Sequence, residues 1–200
     1  MKAATQKTNI IALDESALLL LDTLSTESVK SAHLIGVSLP GVDEDPNSGL
    51  TLAFLDYSDK TLDQIVKEAP KDGILAFVFD NRYGFRYFSG LAMKEGGEAF
   101  EGLEDGKGHS LKEIKETLLS LGLNDVRVFF PFPDYRFPKI VYSEDLLPEK
   151  GGLRNLVGGV GKDRIVTFDE EKAFDASLDS GDFETFAPCY LVVAKKEGRK

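Results

Sequence analysis

The sequence predicts one α/β domain over residues 1–200, built on a mostly parallel sheet with helices on both faces. Short apolar runs alternate along the chain with amphipathic segments, which is typical of parallel strands joined by crossover helices. A chain of 200 residues is long enough to bury a substantial core as one domain. Neither a linker nor a repeat divides the sequence, so a single domain is expected.

Six apolar runs are predicted to form the strands. The run at residues 73–79 is almost wholly apolar, which predicts a central strand because such strands are buried on both faces. The other runs lie at residues 9–13, 33–39, 50–55, 125–130 and 189–195.

Four amphipathic segments are predicted to form helices. Thr61 with Gln64, and Ser110 with Glu113, have the spacing of a capping box, in which each side chain bonds to the other residue's backbone amide. Three prolines within residues 131–138 forbid a helix there and predict a stiff, extended segment. The predicted helices cover residues 16–24, 61–69, 110–121 and 169–181.

Charge and apolar pattern argue against several classes of protein. The formal net charge is −10 and the isoelectric point is near 4.8, which disfavours a nucleic-acid partner because proteins that bind nucleic acids present a basic face. The apolar run at residues 17–21 ends at Asp22, far short of the roughly 20 residues of a membrane span. The single cysteine, Cys189, begins an apolar run and is expected to be buried. A chain without an intramolecular disulfide fits a cytoplasmic location.

Asp14 follows the first predicted strand and precedes the first predicted helix. In nucleoside-binding sheets, an acid at such a position accepts hydrogen bonds from ribose hydroxyls. An acid at a helix N-terminus is also favoured by the helix dipole without any ligand. On the local sequence alone, the second role is favoured.

Two further patterns predict no chemistry. Residues 158–163 share their glycines with a phosphate-binding loop, but Leu156 and Asp163 stand where that motif needs a glycine and a hydroxyl. His33 and His109 are far apart in the chain and neither has a second ligand at zinc spacing, so no metal site is assigned. Because the sequence pairs no nucleophile with a base, the catalytic residues stay unknown.

The segment from Asp80 to Phe88 follows the predicted central strand. It holds two arginines and four aromatic residues, which is dense for a plain connection. Open α/β sheets bind their ligands outside the carboxyl ends of the strands, where this segment begins. A ligand site and a packed loop both fit the pattern.

Several stretches resemble the class I S-adenosylmethionine-dependent methyltransferases. Residues 72–84 are similar to the fifth strand of that family and the turn before it. Residues 80–87 read Asp-Asn-Arg-Tyr-Gly-Phe-Arg-Tyr, close to the Glu-Asn-Arg/Lys-x-Gly-Leu-Lys-Tyr motif of one subgroup. Methyltransferase domains of that subgroup accompany bacterial polysaccharide and cell-surface glycan biosynthesis. Further similar stretches lie at residues 100–104, 130–138, 140–148 and 168–175, so the resemblance covers most of residues 70–195.

The resemblance implies a Rossmann-like fold with an antiparallel last strand, and S-adenosylmethionine as the cofactor. It places Asp14 at the ribose-binding acid after the family's second strand, and Asp56 with Tyr57 at the end of the fourth strand, beside the adenosine. It also implies a glycan or sugar-nucleotide substrate. The substrate-binding residues that it indicates, in two loops expected at one edge of the sheet, are Asn81, Arg82, Tyr87, Asp134, Tyr135 and Arg136.

The chain departs from the family before its first predicted strand. The family's first strand and glycine loop should precede residue 9, but residues 1–8 contain no glycine and are too few for a strand, a loop and a helix. A sheet truncated in this way predicts weak or absent binding of S-adenosylmethionine. It also predicts that residues 9–13 pair directly with residues 50–55, or that a second copy or a partner chain completes the sheet.

Three functions fit these observations. The first is a methyltransferase-related enzyme that acts on a glycan or glycan precursor. The second is a non-catalytic homologue that keeps the fold for interaction or regulation. The third is a module that binds a sugar nucleotide through the loops at residues 81–88 and 131–138. The missing glycine loop favours the second function over the first.

Overall fold

The computed structural model describes residues 10–24, 29–92, 97–104, 106, 108–156 and 168–196. Residue 9 and the predicted glycine-rich loop at residues 158–163 lie outside the described residues. The strands are β1 Ile11–Ala12, β2 Ser31–Ile35, β3 Val37–Ser38, β4 Asp43–Glu44, β5 Leu50–Phe54, β6 Ile74–Asp80, β7 Asn124–Phe132, β8 Ile140–Ser143 and β9 Cys189–Lys195.

The helices are short, and none in the described ranges has the length and apolarity needed to cross a lipid bilayer. They are α1 Leu19–Asp22, α2 Leu62–Glu68, α3 Phe85–Phe88, α4 Glu101–Glu104, α5 Leu111–Ser120, α6 Glu170–Ser180 and α7 Phe183–Phe186, with 3-10 turns at Glu15–Leu18 and Leu55–Tyr57.

Seven of the described strands form the main sheet, in the order β4-β2-β5-β6-β9-β7-β8. The neighbours from β4 to β6 are parallel, β9 runs antiparallel to both β6 and β7, and β8 runs antiparallel to β7. Strand β7 therefore points the same way as β6, and five of the seven strands share one direction. The predicted α/β, Rossmann-like class with a mostly parallel sheet and an antiparallel last strand is confirmed.

Each face of the sheet has its own apolar core. In β6, Leu75, Phe77 and Phe79 face one core, which α2, α5, α6 and α7 cover. Ala76 and Val78 face the other core, which the segment from the 3-10 turn to α1 covers. Because successive side chains of a strand point to opposite faces, only a strand covered on both faces has an unbroken apolar run.

The strand beside β5 is β2, and not the one predicted. Strand β1 pairs in parallel with β3, whereas β2 pairs with β5 through residues 33–35 and 51–53. The prediction that residues 9–13 pair with residues 50–55 is therefore wrong. Strand β2 is the better partner because its five residues bury Ala32 in one core and Ile35 in the other, whereas Ile10 beside β1 is 59% exposed. In the described residues, β2 and β5 bond directly and leave no vacant position between them.

Other elements follow their predicted form to different degrees. The capping box of Thr61 and Gln64 is present, and Gly181 ends α6 in the left-handed conformation. Cys189 is fully buried, as predicted. The predicted strand at residues 33–39 is broken at Gly36 into β2 and β3. Strand β8 was not predicted, because its four residues stand between a proline-rich and an acidic segment.

Candidate functional site

The candidate site lies where β6 and β7 end. Asp80 is the last residue of β6, and Asp134 follows β7 after the Phe132–Pro133 peptide bond, which is cis. Since β6 and β7 point the same way, their carboxyl ends meet at one edge of the sheet. Both predicted loops therefore begin at the edge where α/β sheets bind ligands.

Four charged side chains at this edge alternate in sign and form what we call the ionic ring: Asp80, Arg86, Asp134 and Arg136. Arg86 donates to a carboxylate oxygen of Asp80 and to one of Asp134. Arg136 donates to the same two residues, from Nη2 to Asp80 Oδ2 at 2.6 Å and from Nη1 to Asp134 Oδ2 at 2.7 Å. The side chain of Arg136 is 26% exposed and the other three are buried. The ring is thus a buried salt-bridge network with one solvent-facing member.

For Asp134, ion pairing within the ionic ring has a larger effect on the pKa than burial has. Burial by itself raises the pKa of the Asp134 carboxyl. The charges of Arg86 and Arg136 and the backbone N–H of Arg136 lower this pKa by more than burial raises it. The pKa of Asp134 therefore lies below its ordinary value of 3.8. A buried carboxylate of this kind stays ionised at neutral pH because two cations surround it.

Asp56 lies in the 3-10 turn that follows β5 and contacts the ionic ring at Asp80. Its Oδ2 accepts the backbone N–H of Asp80 at 2.7 Å. Burial, aided by the negative charge of Asp80, raises the pKa of Asp56 from 3.8 to about 7. This carboxyl therefore changes its charge near neutral pH, unlike Asp134.

The predicted substrate residues divide into two groups. Tyr87, Asp134, Tyr135 and Arg136 lie in or beside the ionic ring. The ring of Tyr87 is 5.1 Å from the Arg86 guanidinium, and Arg136 lies 4.5 Å over the ring of Tyr135. Tyr135 is fully buried, and its hydroxyl has no hydrogen-bond partner in the described residues.

The side chains of Asn81 and Arg82 point away from the ionic ring. The Asn81 amide is fully buried and donates to the carbonyls of Thr185 and Ala187, both at 2.8 Å. Arg82 donates to Glu113 Oε1 at 2.8 Å on α5. Their side chains therefore tie the loop after β6 to α7 and α5.

Arg82 lines a groove of about 680 Å³ on the side of the sheet that α5 and α7 cover. Charged residues of both signs and exposed apolar groups share its walls. Lining residues include Arg82, Tyr83, Glu113, Lys115, Leu119 and Glu184.

The predicted cofactor residues lie on two separate elements. Asp14 is exposed, and its Oδ1 accepts from Ser16 N at 2.8 Å and from Ser16 Oγ at 2.5 Å, so that it caps the 3-10 turn. Asp56 and Tyr57 lie in the 3-10 turn that follows β5, and Leu13, next to Asp14, packs against the same apolar core as Tyr57. The described hydrogen bonds join Asp14 to neither Asp56 nor Tyr57.

Gly36 closes the space between the ends of β2 and β5. Its φ is +74°, and a Cβ at this position would lie 2.8 Å from the carbonyl oxygen of Phe54 and 3.0 Å from the backbone of Tyr57. Such contacts are closer than a real Cβ tolerates, so only glycine fits here. The two strand ends are therefore packed backbone to backbone at the edge where a cofactor would enter.

Gly36→Ala should lower the free energy of unfolding by about 2 kcal/mol, because the left-handed backbone and the contact with Phe54 both penalise a side chain. Gly41→Ala is the matched control, since Gly41 has a φ of +73° but no atom within 4 Å of its Cβ position. Urea denaturation of both variants measures the difference. Equal losses would show that the contact with β5 adds nothing.

Asp80 and Arg86 belong to the segment rich in arginine and aromatic residues, but neither the local pattern nor the resemblance assigns them to the site. The signal was an acid at the end of a buried strand, followed six residues later by an arginine. In the described residues, no group of three or more histidine, cysteine or carboxylate side chains is arranged to hold a metal ion.

No protein-family model and no curated protein matches the chain. Among solved structures, an S-adenosylmethionine-dependent methyltransferase of Thermotoga maritima, described as a possible histamine N-methyltransferase, is 12% identical with a TM-score of 0.45, over 91% of this chain and 88% of that one. A second such methyltransferase, from Archaeoglobus fulgidus, is 13% identical with a TM-score of 0.41, over 92% and 85%. Because both scores are below 0.5, the fold class rests on the strands and helices of this chain.

Proposed function

We propose that this chain is a cytoplasmic methyltransferase-like protein related to bacterial surface-glycan biosynthesis, with weak or absent binding of S-adenosylmethionine. The proposal starts from the sequence resemblance over residues 70–195. It is supported by the antiparallel last strand, which the resemblance implies and which β9 provides. The glycan link comes from the resemblance alone.

The observation that best supports weak or absent binding of S-adenosylmethionine is the backbone contact at Gly36. In the family, the strand beside the fourth one leads into an open glycine loop that receives the methionine end of the cofactor through backbone amides. Here β2 takes that place, and Gly36 packs against the backbones of Phe54 and Tyr57. Oδ1 of Asp14 also accepts two hydrogen bonds from Ser16. These contacts support weak or absent binding of S-adenosylmethionine.

The ionic ring supports a role that does not depend on catalysis. Two of the three charged side chains that the resemblance assigns to substrate binding, Asp134 and Arg136, are paired within the ionic ring, and a substrate would have to compete with these pairs. A non-catalytic homologue that uses the fold for interaction or regulation is therefore the form of the proposal that the geometry favours.

Isothermal titration of the chain with S-adenosylmethionine tests the proposal. A working enzyme binds this cofactor with a Kd of about 1 micromolar, and the loss of a few hydrogen bonds moves the Kd towards about 1 millimolar. We expect no saturation below about 100 micromolar. A micromolar isotherm would overturn the proposal and restore the catalytic alternative. Saturable binding of a nucleotide sugar without any response to S-adenosylmethionine would favour the sugar-nucleotide module instead.

A further inference from the structure

The groove beside α5 and α7 is a second place where a ligand can bind, separate from the ionic ring. Its volume of about 680 Å³ falls within the range of small-molecule sites, about 300–1,000 Å³. The described lining residues come from the loop after β6, from α5, from α7 and from β9, and none of them belongs to the ionic ring. A ligand in the groove therefore leaves the salt bridges of the ring intact.

The charges that line the groove are balanced. Among the described lining residues, each cationic side chain has a carboxylate of the same groove as its partner. A charged ligand would meet a like charge beside every opposite one, so the groove has no net attraction for an anion or a cation. The groove therefore favours an uncharged ligand. The pairs and their N–O distances are Arg82–Glu113 at 2.8 Å, Lys112–Glu116 at 3.9 Å and Lys115–Glu184 at 4.0 Å.

The same side chains offer many hydrogen-bonding positions to an uncharged ligand. A lysine ammonium has three donors and a carboxylate has about four acceptor positions, so one ion pair does not use them all. The Arg82 guanidinium is held in place, because it also donates to the carbonyl of Gly106 and to the hydroxyl of Tyr83, both at 3.0 Å. Donors and acceptors that alternate at fixed positions match a row of hydroxyl groups, each of which both donates and accepts.

Apolar surface lies beside these polar groups. Tyr83 is 37% exposed and Leu119 is 60% exposed, and both line the groove. The Arg82 guanidinium lies 4.9 Å from the centre of the Tyr83 ring and stabilises its position. A saccharide ring has C–H groups on its faces and hydroxyl groups around its rim, so it can cover the tyrosine and bond to the charged pairs at the same time. A nucleotide sugar fits less well, because its phosphates would need a cation that is not already paired.

We propose that the groove binds an uncharged saccharide, with one sugar ring against Tyr83 and its hydroxyl groups bonded to Arg82 and Glu113. The inference rests on the glycan part of the proposed function, to which it adds the charge of the ligand and a binding place outside the ionic ring. It does not depend on S-adenosylmethionine, so a sugar titration and a cofactor titration test different statements.

An array of uncharged and acidic oligosaccharides, probed with the full chain, tests the proposal. We expect binding to at least one uncharged oligosaccharide, whose Kd titration calorimetry then measures. Tyr83→Ala should weaken this binding at least about tenfold, because the sugar ring loses its apolar contact. Tyr83→Phe keeps the ring and should stay within about threefold of the wild type. Phe88→Ala is the matched control: Phe88 is 40% exposed on α3 and does not line the groove, so the Kd should not change. Circular dichroism checks that each variant is folded.

A change of charge gives a second test. Glu113→Gln keeps the shape and an acceptor but removes the charge that balances Arg82. This variant should gain binding to acidic oligosaccharides, while the Kd for the uncharged one changes by less than about threefold. A wild-type chain that binds no uncharged oligosaccharide, or that prefers acidic ones, would overturn the proposal, as would equal losses for Tyr83→Ala and Phe88→Ala. A micromolar isotherm with S-adenosylmethionine would overturn the weak-binding part of the proposed function and leave the groove proposal as it is.

Discussion

Replacing Arg86 by methionine should lower the free energy of unfolding by about 3–5 kcal/mol, the usual cost of removing one partner from a buried salt bridge. Methionine keeps most of the length of the side chain but removes its charge and donors. Asp80 and Asp134 then stay buried with Arg136 as their one remaining cation in the ring. Urea denaturation at neutral pH measures the loss.

Arg82→Met is the control for this prediction. The side chain of Arg82 is 14% exposed, and its partner Glu113 is 54% exposed, so one end of the pair faces solvent. Exposed pairs contribute at most about 1 kcal/mol, and the control should lose no more than that. If the two variants lose the same free energy, the ring does not have the role in stability that its burial indicates.

A double variant shows whether the ring acts as a unit. Arg86→Met combined with Asp134→Asn should lose less than the sum of the two single losses, because each single change leaves a buried charge short of a partner. Additive losses would mean that Arg86 and Asp134 contribute independently, which their direct contact contradicts.

The second large effect is a pH dependence that originates at Asp56. The carboxyl ionises near pH 3.8 in the unfolded chain and near pH 7 in the folded protein. Between these values the folded protein binds more protons, so stability falls as the pH rises through this window and is constant above it. At 1.36 kcal/mol per pKa unit, the change amounts to at most about 4 kcal/mol.

Asp56→Asn should remove this dependence. The amide oxygen can still accept the N–H of Asp80, but the side chain carries no charge at any pH. The variant should match the wild type near about pH 4 and exceed it in stability near about pH 8. Urea denaturation across that range gives both curves, with Asp59→Asn at an exposed position as control. Parallel curves for wild type and Asp56→Asn would contradict the prediction.

The central strands could be predicted from sequence because both of their faces are buried. The apolar runs within Ile74–Asp80 and Cys189–Lys195 reflect contact with two cores, and each run predicted its strand to within one or two residues. The helix caps at Thr61 and Asp169 could also be predicted from the sequence, because a cap is a contact between near neighbours in the chain.

Long-range choices could not be predicted in the same way. Whether β1 or β2 stands beside β5 depends on which strand buries more apolar surface against residues far along the chain. Whether Arg82 or Arg86 joins Arg136 in the ionic ring depends on the single turn of α3, which is too short to leave a periodic pattern in the sequence. The partner of Arg86 is Asp134, 48 residues away. Resemblance brought the two loops to one edge, but only the three-dimensional structure pairs their side chains.

The position of β9 constrains the order in which the sheet can assemble. In the described residues, the hairpin of β7 and β8 joins the rest of the sheet only through β9, although β9 is synthesised last of the three. During translation, the hairpin and the edge of β6 therefore keep unpaired backbone groups until β9 inserts between them. Such a non-local closing step slows folding and leaves strand edges open to wrong partners in the meantime. The sheet can therefore close only after β9 has been synthesised.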